Sequence, residues 1–496
     1  MRLTDIAWSY PTNLIRPVLL LVCGIAALIW PQLVPYAAII AVLVLLSCID
    51  LYVGALLRID RRVQAVMPYA RHWPVHVKNF PAYKFVDIVQ AASWLAEQER
   101  RCLRVTSEHD EPLRAVFRFN RRDESRRLGP PTLISRPIGP DQSETFPSNS
   151  FWLNPHSVGG RPWLLRVAFI PLRDMVIIEV AAPSAVAAAD VMGQILARAA
   201  TASIYRGHLL RVSFGHETRP HFAMEETMTR IDLDFLREAP VTDASIVLDE
   251  VTRATLEHTI VDFHHRRSAL MRLGLPGKRG VLFYGPPGTG KTYTCRYLAH
   301  QLAPVTTIVA TGHALMRMKD ICALAAMFQP ALVLLEDVDL VFASREHNAY
   351  NTILGEFMDE LDGFGAKHHV LFVLTTNAIE RVEAAIKDRP GRISQCVYFG
   401  PPGPALRRHY LERMLEAYPL ATCQVDTLVA KTEGVSQAFL KELLYRSVQR
   451  ASAEQPAESP AEVRLVDTHL EEALAEMLAG AGPAGRRIIG FRVEGA

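Results

Sequence analysis

Gly285-Pro286-Pro287-Gly288-Thr289-Gly290-Lys291-Thr292 stands between an apolar run, 280–284, and a stretch of helical composition. That is the setting a phosphate-binding loop needs. A buried strand delivers the chain, glycines let backbone N–H groups surround phosphate oxygens, and the next helix adds its N-terminal dipole. Lys291 is spaced to reach the β- and γ-phosphates, and the Thr292 hydroxyl to ligate Mg²⁺. Tyr293 follows directly and is grouped with the nucleotide-contacting residues. ATP and Mg²⁺ are the cofactors expected.

Toward the C-terminus, Leu332-Val333-Leu334-Leu335-Glu336-Asp337 reads as an apolar strand ending in two carboxylates. One acid of such a pair holds the Mg²⁺ shell and the other orients the attacking water. By position Glu336 is the expected metal-side acid and Asp337 the water-side acid. Thr375-Thr376-Asn377 closes the next apolar run, where Asn377 can hydrogen-bond the γ-phosphate or the water. Arg389-Pro390-Gly391-Arg392 follows a helical stretch, and such arginines suit a finger reaching a neighbouring subunit's phosphates. Apolar strands at 306–310, 331–335 and 370–375 alternate with helices, the pattern of a parallel α/β sheet covered on both faces. From 404 onward the pattern is helical, as expected of a lid.

Together these residues closely resemble the AAA family of P-loop ATPases, over about 241 to 478. Two further stretches carry the resemblance: 354–364, reading LGEFMDELDGF, and 432–440, reading TEGVSQAFL. The second is similar to the family's lid motif, whose Gly-Ala step borders the adenine; here Gln437 replaces the Gly and Phe439 the usual Asp. The Glu336-Asp337 order reverses the family's usual Asp-Glu. The resemblance implies a homo-oligomeric ring, hexameric or heptameric, with sites at subunit boundaries, acting on a protein substrate. Within the family, that acid order and an apolar N-terminus resemble the mitochondrial inner-membrane translocase of a folded iron–sulfur (Rieske) protein, in a bacterial-type version.

From 14 to 57 nearly every residue is apolar. One helix of that length would run roughly 65 Å, about twice the ~30 Å hydrocarbon core, and Pro31 and Pro35 would break it. Two transmembrane helices joined near Trp30-Pro31-Gln32 are therefore expected. Arg2 and Arg16 precede them and Arg58, Arg61 and Arg62 follow, which puts both ends on the cytoplasmic side. The lipid bilayer is an expected partner, and the location a membrane (a bacterial inner membrane) with the ATPase domain in the cytoplasm.

The expected organisation is a membrane anchor over 1–62, a middle α/β domain over 63–240, an ATPase domain over 241–400, a helical lid over 401–480 and a tail over 481–496. The middle domain should hold a helix over 86–102, strands at 163–170, 175–180 and 208–214, and a helix over 185–205. Its segment 121–150, rich in Pro, Ser and Gly, reads as a poorly ordered insert. With 54 basic against 52 acidic residues the chain lacks the basic excess of a nucleic-acid binder. Seven scattered cysteines with no C-x-x-C pair read as reduced thiols. His216-Glu217 begins like the metalloprotease signature H-E-x-x-H, but Pro220 stands where the second His must be. The segment after Thr311 carries no aromatic residue to grip an extended chain, so threading is not expected to be its specialisation. Met316 and Met318 could grip weakly or pack as core. A membrane-anchored ATPase that remodels or translocates protein is the leading expectation. A threading unfoldase, an ATP-switched membrane scaffold or sensor, and a DNA-directed protein are the alternatives, the last disfavoured by charge.

Overall fold

The computed structural model describes residues 22, 25, 29, 30, 38–46, 58–99, 102–107, 111–117, 128, 130–155, 162–216, 229–243, 246–342, 368–380, 393–455 and 458–479. The chain divides into two compact units, Met1–Tyr205 with Phe214–Leu233, and Arg206–Ser213 with Asp234–Ala496.

In the first unit a helix α1 (Ile59–Val66) precedes β1 (Val75–Pro81), α2 (Phe85–Glu97), β2 (Leu103–Thr106), β3 (Leu133–Pro137), β4 (Ser143–Pro147), β5 (Asn149–Asn154), β6 (Trp163–Ile170), β7 (Met175–Ala181) and α3 (Ala185–Thr201). Five strands form one antiparallel sheet in the order β1-β7-β6-β5-β2. Both faces are covered, which explains why β6 is apolar at nearly every position instead of alternating. Trp163, Leu165, Val167 and Phe169 pack with α2 and α3, whereas Leu164 packs with Ile59, Val63 and Val66 of α1. Arg166 is the exception on β6. Its guanidinium bonds Glu179 directly across the ladder at 2.7 Å and Asn149 at 3.1 Å, so a charge removed from water keeps its partners.

The segment 121–150 differs from the loop expected of it. β3 and β4 pair as an antiparallel hairpin within it, and Phe146 of β4 is buried in the unit's core.

The expected transmembrane hairpin is not found among the described residues, where no helix is long and apolar enough to cross a membrane. Of the apolar stretch, a helical run over 38–46 and four isolated positions are described, and the rest of 14–57 lies outside the described residues. The basic flank has a different explanation from topology. Arg58 pairs with the buried Asp60 at 3.0 Å, and Ile59, Val63 and Val66 sink into the core of the first unit, so these arginines edge an amphipathic helix. The bilayer as partner, the membrane location and the likeness to membrane-anchored translocases are corrected accordingly.

The second unit holds β8 (Leu209–His216) as far as Ser213, β9 (Thr229–Phe235) from Asp234, and β10 (Arg279–Tyr284), β11 (Thr306–Thr311), β12 (Ala331–Glu336), β13 (Val370–Thr376) and β14 (Gln395–Tyr398). Their order is β14-β10-β13-β12-β11-β8-β9, and every pairing from β14 to β8 is parallel. β12 and β13 are buried almost throughout, as a parallel sheet between helical layers requires. β8, which the sequence pattern groups with the middle domain, is hydrogen-bonded to β11. Residues 246–248 form no strand. A long helix, α4, runs from Glu250 to Arg272 with one π turn over Glu257–Val261; the Asp249 side chain caps it by accepting the Thr252 N–H at 2.8 Å. α5 (Lys291–Gln301) and α6 (Met318–Met327) follow β10 and β11. The C-terminal helices α7 (Pro404–Leu415), α8 (Val425–Lys431), α9 (Gln437–Glu454) and α10 (Asp467–Ala479) share a separate apolar core. Phe439 is buried in that core, which accounts for an aromatic residue where a polar one was expected.

Candidate nucleotide site

Parallel registry assembles the site. Tyr284, the last residue of β10, pairs with Thr376 of β13, and Leu335 of β12 pairs with Leu374. The chain leaving each strand at its carboxyl end therefore emerges beside the other two, where ligands of such sheets bind.

The loop 285–290 has left-handed backbone at all three of its glycines, Gly290 at φ 91° included, and at the other two a close neighbour also excludes a side chain. Gly285 has φ 145°, and a Cβ there would overlap the carbonyl oxygen of Phe399. Gly288 has φ 78°, and a Cβ would sit 2.8 Å from Ala438 Cβ and 2.9 Å from Ser436 Oγ. Gly288 also accepts the Ala438 N–H at 3.0 Å, so the start of α9 in the lid is fastened to the loop. Thr289 Oγ1 donates to Pro286 O at 2.9 Å, which closes the loop on itself. Pro286 and Pro287 restrict the approach to that turn.

Lys291 opens α5, and its ammonium donates to the Gly285 and Pro286 carbonyls, each at 2.8 Å. Burial pushes it down from 10.5 to about 8, opposed by the charges of Asp337 and Asp339. The Thr292 hydroxyl lies near enough to the Glu336 carboxyl to favour its charged form, the weakest of the influences on it. Burial raises the Glu336 carboxyl; Arg296 opposes that shift, and Asp337 and Glu238 add to it. Arg296 itself pairs with Glu238 at 2.9 Å. Tyr293 is exposed on α5 and lies within electrostatic range of Tyr410 on the lid, whose hydroxyl burial pushes up to about 12.

Asp337 sits one residue beyond β12 with φ 52°, left-handed backbone that Asp tolerates better than most side chains. Its N–H donates to Thr375 Oγ1 at 3.0 Å, and its Oδ1 accepts from Asn377 Nδ2 at 3.0 Å. Asp339, missed by sequence reading, is 5% exposed and receives both Thr376 Oγ1 at 2.9 Å and the Asn377 N–H at 3.0 Å on one oxygen. The signal was present: Glu336-Asp337-Val338-Asp339 carries a third acid two residues beyond the pair. The structure thus brings Lys291, Thr292, Glu336, Asp337 and Asn377 together. Arg389 and Arg392 lie outside the described residues, as does the stretch 354–364.

This arrangement fits Mg·ATP. A loop of amides and one lysine faces polyphosphate, a hydroxyl–carboxylate pair offers oxygen ligands to a hard cation, and an acid–amide pair can hold a water. No group of three His, Cys, Asp or Glu side chains suited to a metal ion occurs among the described residues.

Comparison with known proteins agrees with the geometry. Residues 281–401 match the model of the ATPase family associated with various cellular activities (AAA). The chain is 30% identical over 242 residues to an ATP-dependent zinc metalloprotease, FtsH 3, of Sphaerobacter thermophilus, covering 46% of this chain and 48% of that protein. It is 27% identical over 229 residues to the ATPase family gene 2 protein of Schizosaccharomyces pombe, covering 44% of this chain and 28% of that one. A 32% identity over 200 residues links it to the ATP-dependent zinc metalloprotease FtsH of Marinobacter nauticus, covering 37% and 31%. The matched part spans less than half the length of each of these relatives. The matched segment is an ATP-hydrolysing domain that works with ATP and Mg²⁺.

Proposed function

We propose that this chain couples ATP hydrolysis, in a homo-oligomeric ring of six or seven copies, to the remodelling of a protein substrate. The observation that carries the reading is the joining of the loop lysine, the two β12 acids and Asn377 at the carboxyl ends of adjacent parallel strands. Lys291 exchanges its two loop carbonyls for β- and γ-phosphate oxygens. Thr292 and Glu336 would hold Mg²⁺, which would supply positive charge to offset that of the phosphates. Asp337, oriented by Asn377, accepts a proton from the attacking water. Arg389 and Arg392 complete a neighbour's site in trans, on the strength of their sequence position alone.

The tie between Gly288 and Ala438 supports the coupling step, since a change at the loop reaches the lid through one hydrogen bond. The segment after β11 forms a short 3₁₀ turn, Gly312–Arg317, without an aromatic residue, with Met316 43% exposed and Met318 buried. A pore lined that way favours action on a folded client over threading. The test is ATP turnover and ATP-dependent loss of fluorescence from a folded reporter client, with Lys291→Ala as control. Turnover unaffected by Lys291→Ala would sink the site; robust turnover without any change in a panel of protein clients would sink the remodelling.

A further inference from the structure

We propose that Asp339 is a positioning residue of the ATPase centre, acting through Asn377 on Asp337; this deepens the reading of Asp337 and Asn377 given above. A carboxylate only 5% exposed costs several kcal/mol unless hydrogen bonds compensate it. Here the compensation is directed at one place. The same oxygen, Oδ1, receives the Thr376 hydroxyl at 2.9 Å and the backbone N–H of Asn377 at 3.0 Å.

These two bonds fix the backbone of Asn377 and, through Thr376, the turn after it, because Thr376 Oγ1 in turn accepts the Ala378 N–H at 3.1 Å. With its backbone held, the Asn377 amide reaches Asp337 Oδ1 at 3.0 Å. Asp337 is held from its other side, its N–H on Thr375 Oγ1 at 3.0 Å. The turn after β12 and the end of β13 are therefore cross-linked in both directions, and Asp339 reaches Asp337 only through Asn377. Val338 between the two aspartates is buried, and its N–H donates to Thr375 O at 2.9 Å, which keeps the spacing rigid.

An asparagine at 339 can keep its oxygen on both donors but loses the charge that strengthens the two hydrogen bonds they make. Misplacing Asn377 by a fraction of an ångström affects the hydrolysis step and leaves the phosphate cradle alone. Asp339 therefore belongs to turnover, not to nucleotide binding.

The experiment measures steady-state ATPase and equilibrium binding of a fluorescent ATP analogue for full-length Asp339→Asn, Asn377→Ala and the double variant. Asp339→Asn is expected to lower kcat by ~10–100-fold with the dissociation constant within about 3-fold of wild type. The double variant is expected to turn over no more slowly than Asn377→Ala, because both act on one path. Multiplying losses in the double variant, or a loss of binding as large as the loss of kcat, would overturn the proposal. If Asp339→Asn does not fold, Thr376→Val removes one donor to the same oxygen. Its kcat loss should disappear in an Asn377→Ala background, and an equal loss in both backgrounds overturns the proposal. Wild-type turnover by Asn377→Ala would instead refute the role of Asn377 itself, and is separable from every outcome above.

Discussion

Exchanging the two β12 acids, Glu336→Asp with Asp337→Glu, would restore the order usual in the AAA family, yet it should impair this protein. At position 337 the backbone stands at φ 52°, a conformation that costs most L-residues about 1–2 kcal/mol and that aspartate relieves in part. Glutamate there is expected to lose about 1 kcal/mol. At position 336 the longer side chain brings its carboxylate near the Thr292 hydroxyl, which favours its charged form. Shortening it by one methylene draws the acid away from that hydroxyl, and so from a cation the two would share.

The exchanged protein should therefore melt lower and need several-fold more Mg²⁺ for half-maximal hydrolysis. Asp337→Asn is the control, because asparagine also tolerates left-handed backbone. It should keep wild-type stability within about 0.5 kcal/mol while hydrolysing far more slowly. Thermal denaturation with and without Mg·ATP, and hydrolysis titrated with Mg²⁺, measure both effects. An exchanged protein with unchanged melting and unchanged Mg²⁺ dependence would refute the argument that backbone conformation sets the order of the acids.

The Lys291 ammonium, pushed from 10.5 to about 8 by burial, gives a pH test. Between those values the unfolded chain holds a proton that the folded chain lacks, so this group's contribution to the stability of the nucleotide-free protein rises with pH across that window. ATP binding near the upper part of the window should take up a proton, seen by calorimetry in buffers of different ionisation enthalpy; binding without uptake would contradict it. For the two methionines after β11, Met318→Ala should lower stability by about 2–5 kcal/mol because its side chain is buried, whereas exposed Met316→Ala should change it by less than about 0.5. Equal effects in thermal melts would contradict that division of roles.

What could be read from the sequence was set by burial on one strand at a time. β6, β12 and β13 are enclosed on both faces, so each is an apolar run with visible ends, broken within only by Arg166 of β6. β1 has a half-exposed pattern with Pro81 at its end, and β3 and β4 lie among prolines and serines, so none of the three carries that mark. The partner of β8 was equally hidden. Its neighbour β11 begins some ninety residues later, with Leu210 opposite Ile308, and no local pattern records a pairing of that span. The arginines that follow the apolar N-terminal stretch misled for a related reason, because the packing of α1 behind them leaves no mark in the local pattern.

The candidate site divides along a similar line. Spacing along the chain singled out Lys291, Thr292, Glu336, Asp337 and Asn377 as candidates, each where a strand ends and a loop or turn begins. It did not find Asp339, because nothing local distinguishes a third acid on a short helical turn from a solvated one. What distinguishes it is the left-handed residue at 337, which turns the chain back so that Asp339 meets Thr376 and Asn377 on the neighbouring strand. The same conformation favours aspartate over glutamate at 337 and leaves the longer acid for 336, near the Thr292 hydroxyl. One backbone dihedral therefore links the reversed acid order, seen in the sequence but unexplained by it, to the third carboxylate that the sequence did not reveal.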